Sequence, residues 1–165
     1  MVLTTSPDKH FLLSHPAHFF ALGFGSGLAP KAPGTFGTLA AIPLFGLLLL
    51  LPETSHCFII AALFLLGIPL CHIAGANLGV SDHGSIVWDE IVAFMLVLEF
   101  TPASWTWWLC AFLLFRLFDI WKPFPIRILD RKVHGGFGVM LDDLLAAIYA
   151  IIVLEGLQWL MMQSF

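Results

Sequence analysis

Long apolar runs, separated by short polar segments, set the pattern of the chain. Residues 39–51 are almost wholly aliphatic and, with 36–38, predict a short first membrane span ending at Pro52. Residues 53–56 read as a polar turn and 58–74 as a second span. The apolar stretch 91–115 is long enough for one tilted span, which needs about 20 residues. However, Glu99-Phe-Thr-Pro-Ala-Ser104 puts turn chemistry inside it. The pattern favours a hairpin, with one helix over about 87–99 and a second over about 102–118. A last span runs from near Leu141 towards Trp159. Residues 10–24 mix Phe and Leu with three histidines and read as an interfacial amphipathic helix. Residues 23–38 are too rich in Gly and Pro for a regular helix.

Composition turns this pattern into a class. Of the 165 residues, 59% are hydrophobic and 11% charged, against about 25% charged in an average soluble domain. Mean hydropathy is +0.95. A soluble globule could not cover its surface with so few polar groups, and disorder is excluded by the same numbers. The net charge of -4 and the lack of a basic arm argue against nucleic acid as a partner. The expected fold is all-α: a multi-pass helical membrane protein, a compact bundle of four to five short membrane helices forming one domain over 1–165. Cys57, Cys71 and Cys110 are odd in number, lie in apolar stretches and read as small core residues. The first residues do not resemble a cleaved signal peptide. Gly67, Gly75 and Gly79 would permit close helix contact, so an oligomer is possible.

Charge orients the bundle. Arg116, Lys122, Arg127, Arg131 and Lys132 are five of the seven cations, and the turns 53–56 and 99–104 contain none. That asymmetry places the basic segment in the cytoplasm. With a hairpin, the polar segments 25–38, 77–90 and 116–143 share that face. Trp105, Trp107 and Trp108 then belong at the outer interface, and Trp88 and Trp121 at the inner one.

The acids carry the chemistry. Asp89 and Glu90 precede one apolar run, and Asp142 and Asp143 precede another. Acids at helix starts are favoured by the macrodipole, but four carboxylates entering one interface exceed what capping needs. Gathered carboxylates require a cation, and hard oxygen ligands select Mg²⁺ or Mn²⁺ over zinc. If 82–90 is helical, Asp82 and Asp89 share a face. Arg116, Asp119 and Lys122 recur at three-residue spacing, on one face of a helix ending before Pro123. Lys31 stands among Gly34, Thr35, Gly37 and Thr38, whose small side chains let backbone N–H groups approach an anion. Acids, a metal and cations at a membrane face suit a phosphorylated headgroup. His134 is the histidine placed to contact phosphate or act as a general acid. Cys110 and Arg116 match a bare Cys-x5-Arg pattern, but the residues between them have no glycine and read as spanning helix, so no phosphate loop forms there. Glu155 lies about 18 Å along a helix from Asp143, too far for the same site.

Three segments together resemble the phosphatidylglycerophosphatase A family of bacterial inner-membrane lipid phosphatases. They are Phe24-Gly-Ser-Gly-Leu-Ala-Pro-Lys-Ala-Pro-Gly-Thr-Phe-Gly-Thr38, Asp82-His-Gly-Ser-Ile-Val-Trp-Asp-Glu90, and Phe115-Arg-Leu-Phe-Asp-Ile-Trp-Lys-Pro-Phe-Pro-Ile-Arg127 with His134-Gly-Gly-Phe-Gly-Val-Met-Leu-Asp-Asp143. The resemblance implies hydrolysis of phosphatidylglycerol phosphate to phosphatidylglycerol and phosphate, with Mg²⁺ required. On it, Asp89, Glu90, Asp142 and Asp143 are the expected metal ligands. Lys31, Thr35, Arg116, Lys122 and Arg127 are the expected phosphate contacts, and Asp119 or Asp82 a nucleophile, base or further ligand. Two rivals remain. A lipid phosphotransferase would share the Mg²⁺ chemistry, but its CDP-alcohol version needs an Asp-Gly start and the chain has no Asp-Gly pair. A small cation transporter should hold its acids near the midplane, where only Glu99 and Glu155 are candidates.

Overall fold

A computed structural model describes residues 6–163, and among them the chain is helical with no strand. The order is α1 (Lys9–Ser14), α2 (Pro16–Ala21), a 3₁₀ segment (Gly23–Leu28), α3 (Pro33–Leu48), α4 (Glu53–Leu78), α5 (Trp88–Glu99), α6 (Trp105–Trp121), α7 (Ile126–Lys132) and α8 (Gly135–Gln163).

Local chemistry sets most boundaries. The amphipathic stretch expected over 10–24 is broken at His15-Pro16. Asp8 caps α1 by accepting from the Phe11 N–H at 2.8 Å, and His15 Nδ1 caps α2 by accepting from the Ala17 N–H at 3.0 Å. Pro16 sits at the start of α2, where no N–H is needed. The irregular stretch expected over 23–38 is only half so: α3 already begins at Pro33, again a proline in the first turn. The stretch 82–90 is not one helix: 82–87 are non-helical and only 88–90 belong to α5. The chain leaves α4 through Gly79 in the left-handed region (φ 74) and loops until Trp88, so Asp82 does not share a helical face with Asp89. The break at 100–104 is present, and Ser104 accepts from the Trp107 N–H at 3.4 Å to start α6.

The short helix α5 is the core. Ile91, Val92, Ala93, Phe94, Met95, Val97 and Leu98 are all buried, and α3, α4, α6 and α8 pack around it. Twelve residues reach only about 18 Å, and the surrounding helices shield it. α8 lies directly against α4 at Gly136, where a Cβ would strike the Ile68 carbonyl and stand 2.8 Å from the His72 backbone nitrogen. Gly67 and Gly75 are likewise used inside the chain, against Met140 and the Ser81 backbone.

Large apolar side chains face outward in stripes: Leu109, Leu113 and Leu117 on α6, Phe58, Leu65 and Leu66 on α4, Ile148 and Ile152 on α8. α4 and α8, at 26 and 29 residues, are long and apolar enough to cross a membrane. Trp88, expected at an interface, is instead buried, its Nε1–H donating to the Leu63 carbonyl at 3.2 Å. Cys71 is a core residue as expected; Cys57 is exposed, and Cys110 is half-buried. At the far end of α5 from Asp89, His56 Nδ1 meets Glu99 Oε2 at 3.1 Å and His56 Nε2 meets the Leu51 carbonyl at 3.1 Å.

Candidate active site

The starts of α3 and α5, the end of α6 and the first turns of α8 meet at one end of the bundle. Asp89 and Glu90 lie in the first turn of α5. Asp142 and Asp143 lie about two turns into α8, which starts at Gly135, not near Leu141. Asp89, Glu90 and Asp143 each offer a carboxylate oxygen within 4.8 Å of the others. Asp89, Asp142 and Asp143 are buried and Glu90 is nearly so. Asp89 Oδ1, Glu90 Oε2, Asp142 Oδ1 and Asp143 Oδ2 are buried without a hydrogen-bond partner. Buried, unpaired carboxylate oxygens are costly. An oxygen-only donor set of this kind fits a hard divalent cation such as Mg²⁺.

Two cations flank the acids. Arg116 Nη1 is 2.5 Å from Asp119 Oδ2 one turn along α6 and 3.7 Å from Glu90 Oε1. Gly34, in the first turn of α3, packs against this pair: a Cβ there would strike Glu90 Oε1 and stand 3.1 and 3.2 Å from Arg116 Nη1 and Nη2. Lys122 does not continue the Arg116–Asp119 face. α6 ends at Trp121, and Lys122 enters the left-handed region (φ 47), turning its ammonium towards α7 and α8. Its Nζ donates to Asp130 at 2.9 Å and, more closely, to Asp142. Burial works against the Lys122 charge, but the hydrogen bonds and charges of Asp142 and Asp130 outweigh it and hold its pKa above the ordinary lysine range. Asp142 therefore faces Lys122 with one oxygen, and the three-carboxylate group comprises its neighbour Asp143 with Asp89 and Glu90.

The other expected site residues sit around this centre. Thr35 is half-buried beside Gly34, and Lys31 is exposed on the turn before α3. Asp82 and His134 line a small cleft with Asp130. Arg127 is exposed on α7 and makes no ion pair among the described residues. Asp130, which sequence reading gave no role, is the second partner of Lys122. Its only signal in the sequence is an acid inside the basic segment.

Buried carboxylates and paired cations gathered at one end of a helical bundle can hold and neutralise a phosphate group. The chain belongs to the phosphatidylglycerophosphatase A family, whose sequence model matches residues 19–158. A phosphatidylglycerophosphatase A from Haemophilus influenzae is 53% identical over 159 residues, covering 95% of this chain and 98% of the relative. One from Escherichia coli is 46% identical over 137 residues, covering 82% and 80%. A Bacteroides thetaiotaomicron relative, provisionally named a phosphatidylinositol-3-phosphatase, is 41% identical over 145 residues, covering 83% and 90%. No solved structure gives a significant match to the chain.

Proposed function

We propose that this protein is a phosphoric monoester hydrolase that converts phosphatidylglycerol phosphate to phosphatidylglycerol and inorganic phosphate in glycerophospholipid synthesis. It works at the cytoplasmic face of the bacterial inner membrane and requires Mg²⁺. The observation that carries this reading is the convergence of Asp89, Glu90 and Asp143 beside Arg116, in a chain of this family. Support for the bilayer comes from the outward apolar stripes and from α4 and α8. Support for the orientation comes from the five cations of 116–132, which lie at the end that holds the acids.

Asp89, Glu90 and Asp143 would hold the metal, with Asp142 beside them. When bound, Mg²⁺ supplies positive charge to the non-bridging phosphate oxygens. Arg116 and Lys122 offset the remaining phosphate charge, and Thr35 and the α3 amino terminus supply neutral donors. Arg127 and Lys31 attract the anionic headgroup from the rim. Hydrolysis forms a phosphorus–oxygen bond to water and breaks the one to the glycerol oxygen. Asp119 or Asp82 either accepts the proton of the attacking water, or attacks phosphorus itself to give an aspartyl phosphate that water then hydrolyses, and His134 protonates the leaving glycerol oxygen.

The test is phosphate release from phosphatidylglycerol phosphate by purified protein in detergent, with Mg²⁺ and with EDTA, beside Asp89→Asn. Metal-dependent release that disappears in a folded variant is expected. Absence of release from folded wild type would overturn the substrate. Release persisting in EDTA or in the variant would overturn the metal site.

A further inference from the structure

An apolar groove of about 350 Å³ opens between α3, α4 and α5, and every side chain lining it is hydrophobic. Its volume is that of a small-molecule site, about 300–1,000 Å³. Trp88 and Met95 both line it, seven residues of α5 apart, so it runs about 10 Å along the helix. Its upper end lies level with the acids along α5, because Trp88 lines the groove there and the next residue is Asp89. From that level the groove descends beside Val92 and Leu44 towards the interior of the bundle's length.

The upper end is also built with care. Phe20, Phe24 and Trp88 stand edge-on to one another, with ring centroids 5.6 to 6.0 Å apart. Phe24 holds a left-handed backbone (φ 59), a conformation that costs a bulky residue of order 1–3 kcal/mol. The residue so placed is 41% exposed, so core burial does not account for the strain. The same 24–38 segment brings Gly34 against Glu90 and Arg116. One stretch of chain thus shapes both the polar pocket and the mouth of the groove.

We infer that this groove seats one acyl chain of the lipid phosphate substrate, with Phe20, Phe24 and Trp88 clasping it just below the headgroup. The inference rests on the hydrolase reading above and extends it from the headgroup to the tail. The groove fixes how deep the lipid sits, and hence where its phosphate meets Arg116 and the acids.

Two experiments test it. Leu44→Trp fills the groove, and Leu113→Trp on the outward stripe of α6 is the control. Phosphate release is measured with dioleoyl and dihexanoyl phosphatidylglycerol phosphate in mixed micelles of one detergent. Leu44→Trp should lower kcat/KM for the dioleoyl lipid about tenfold, the scale on which a shaped apolar pocket discriminates a methylene or two. The dihexanoyl value and the Leu113→Trp variant should stay within twofold of wild type by the same measure. Equal loss on both lipids, or no loss, overturns the groove. Separately, phosphatidylglycerol phosphate carrying a mid-chain diazirine is photolysed in vesicles with wild type, beside a phosphatidylcholine with the same label. Adducts of the phosphate lipid should concentrate on 44–48 and 91–95. A pattern matching that of phosphatidylcholine assigns the groove to bulk lipid and overturns the inference. Selective labelling without any phosphate release would keep the groove and sink the hydrolase.

Discussion

Gly34→Ala should separate activity from stability. The residue lies in the first turn of α3 at a negative φ, so alanine suits its backbone, and in a helix the change gains about 1 kcal/mol. Space decides otherwise, because the new methyl lands on Glu90 Oε1 and stands 3.1 Å from Arg116 Nη1. The carboxylate is the end of a flexible side chain and moves aside. Overpacking of this kind costs about 1–3 kcal/mol. The two terms leave a net loss of about 0–2 kcal/mol, a fall of a few degrees in melting temperature at about 2–4 °C per kcal/mol. The site suffers far more. Moving Glu90 by of order 1 Å withdraws it from Asp89 and Asp143 and shifts Arg116, a misplacement that costs about a hundredfold in rate. Gly46→Ala in the same helix is the control, since a Cβ there meets nothing within 4 Å. Phosphate release and thermal melting, in one detergent with Mg²⁺, read both quantities. Wild-type kcat/KM in Gly34→Ala, or an equal loss in Gly46→Ala, would refute the reasoning.

Further outcomes follow from the same contacts. Asp143→Asn should raise the melting temperature of EDTA-treated protein, by relieving like-charge repulsion, while cancelling the Mg²⁺-induced rise seen in wild type; an unchanged Mg²⁺ shift would exclude Asp143 as a ligand. Lys122 has a raised folded pKa, so its stabilising contribution is complete below the unfolded lysine value of about 10.4 and is lost only as pH climbs through the folded value. Wild type should therefore lose no rate through Lys122 below about pH 10; Asp130→Asn removes one of the two carboxylates that raise this pKa and should move any alkaline loss to lower pH, so a limb that moves upward would refute the assignment. His56→Ala strips Glu99 of its partner at the end of the bundle away from the acids. It should cost about 1–3 kcal/mol of stability and leave kcat per folded molecule unchanged, which melting and active-site-normalised rates together will check.

Some of this was legible because the deciding signal was local. Thr101-Pro-Ala-Ser104 breaks the apolar run by its own turn chemistry, and the hairpin of α5 and α6 follows it. Asp89 and Glu90 sit where an apolar run begins, and α5 begins there. Other features depend on partners distant in the chain. The last span reads as starting near Leu141, yet Gly135-Gly-Phe-Gly138 folds as the first turn of α8 because bare glycine lets that helix touch the backbone of α4 at Ile68. Trp88 reads as an interfacial ring but is drawn into the core by the Leu63 carbonyl. Lys122 reads as the next step of the Arg116 face, and its left-handed turn towards Asp130 depends on α7 packing against α8. Helical periodicity carries no trace of such contacts.

The early start of α8 bears on why the acids are there. A helix macrodipole favours anions only within the first turn. That suffices for Asp89 and Glu90, which lie in the first turn of α5. It fails for Asp142 and Asp143, about two turns inside α8, whose first turn carries no acid. Lys122 answers one oxygen of Asp142, and Arg116 leans on Glu90 and Asp119. Asp143 Oδ2 has no such answer and is buried without a partner, as are Asp89 Oδ1 and Glu90 Oε2. Capping, positive-inside anchoring and packing each explain part of this end of the bundle, and none explains a third carboxylate brought into the group formed by the first two. A bound cation would explain it, and would make the stability of the fold and the occupancy of the site two readings of one equilibrium.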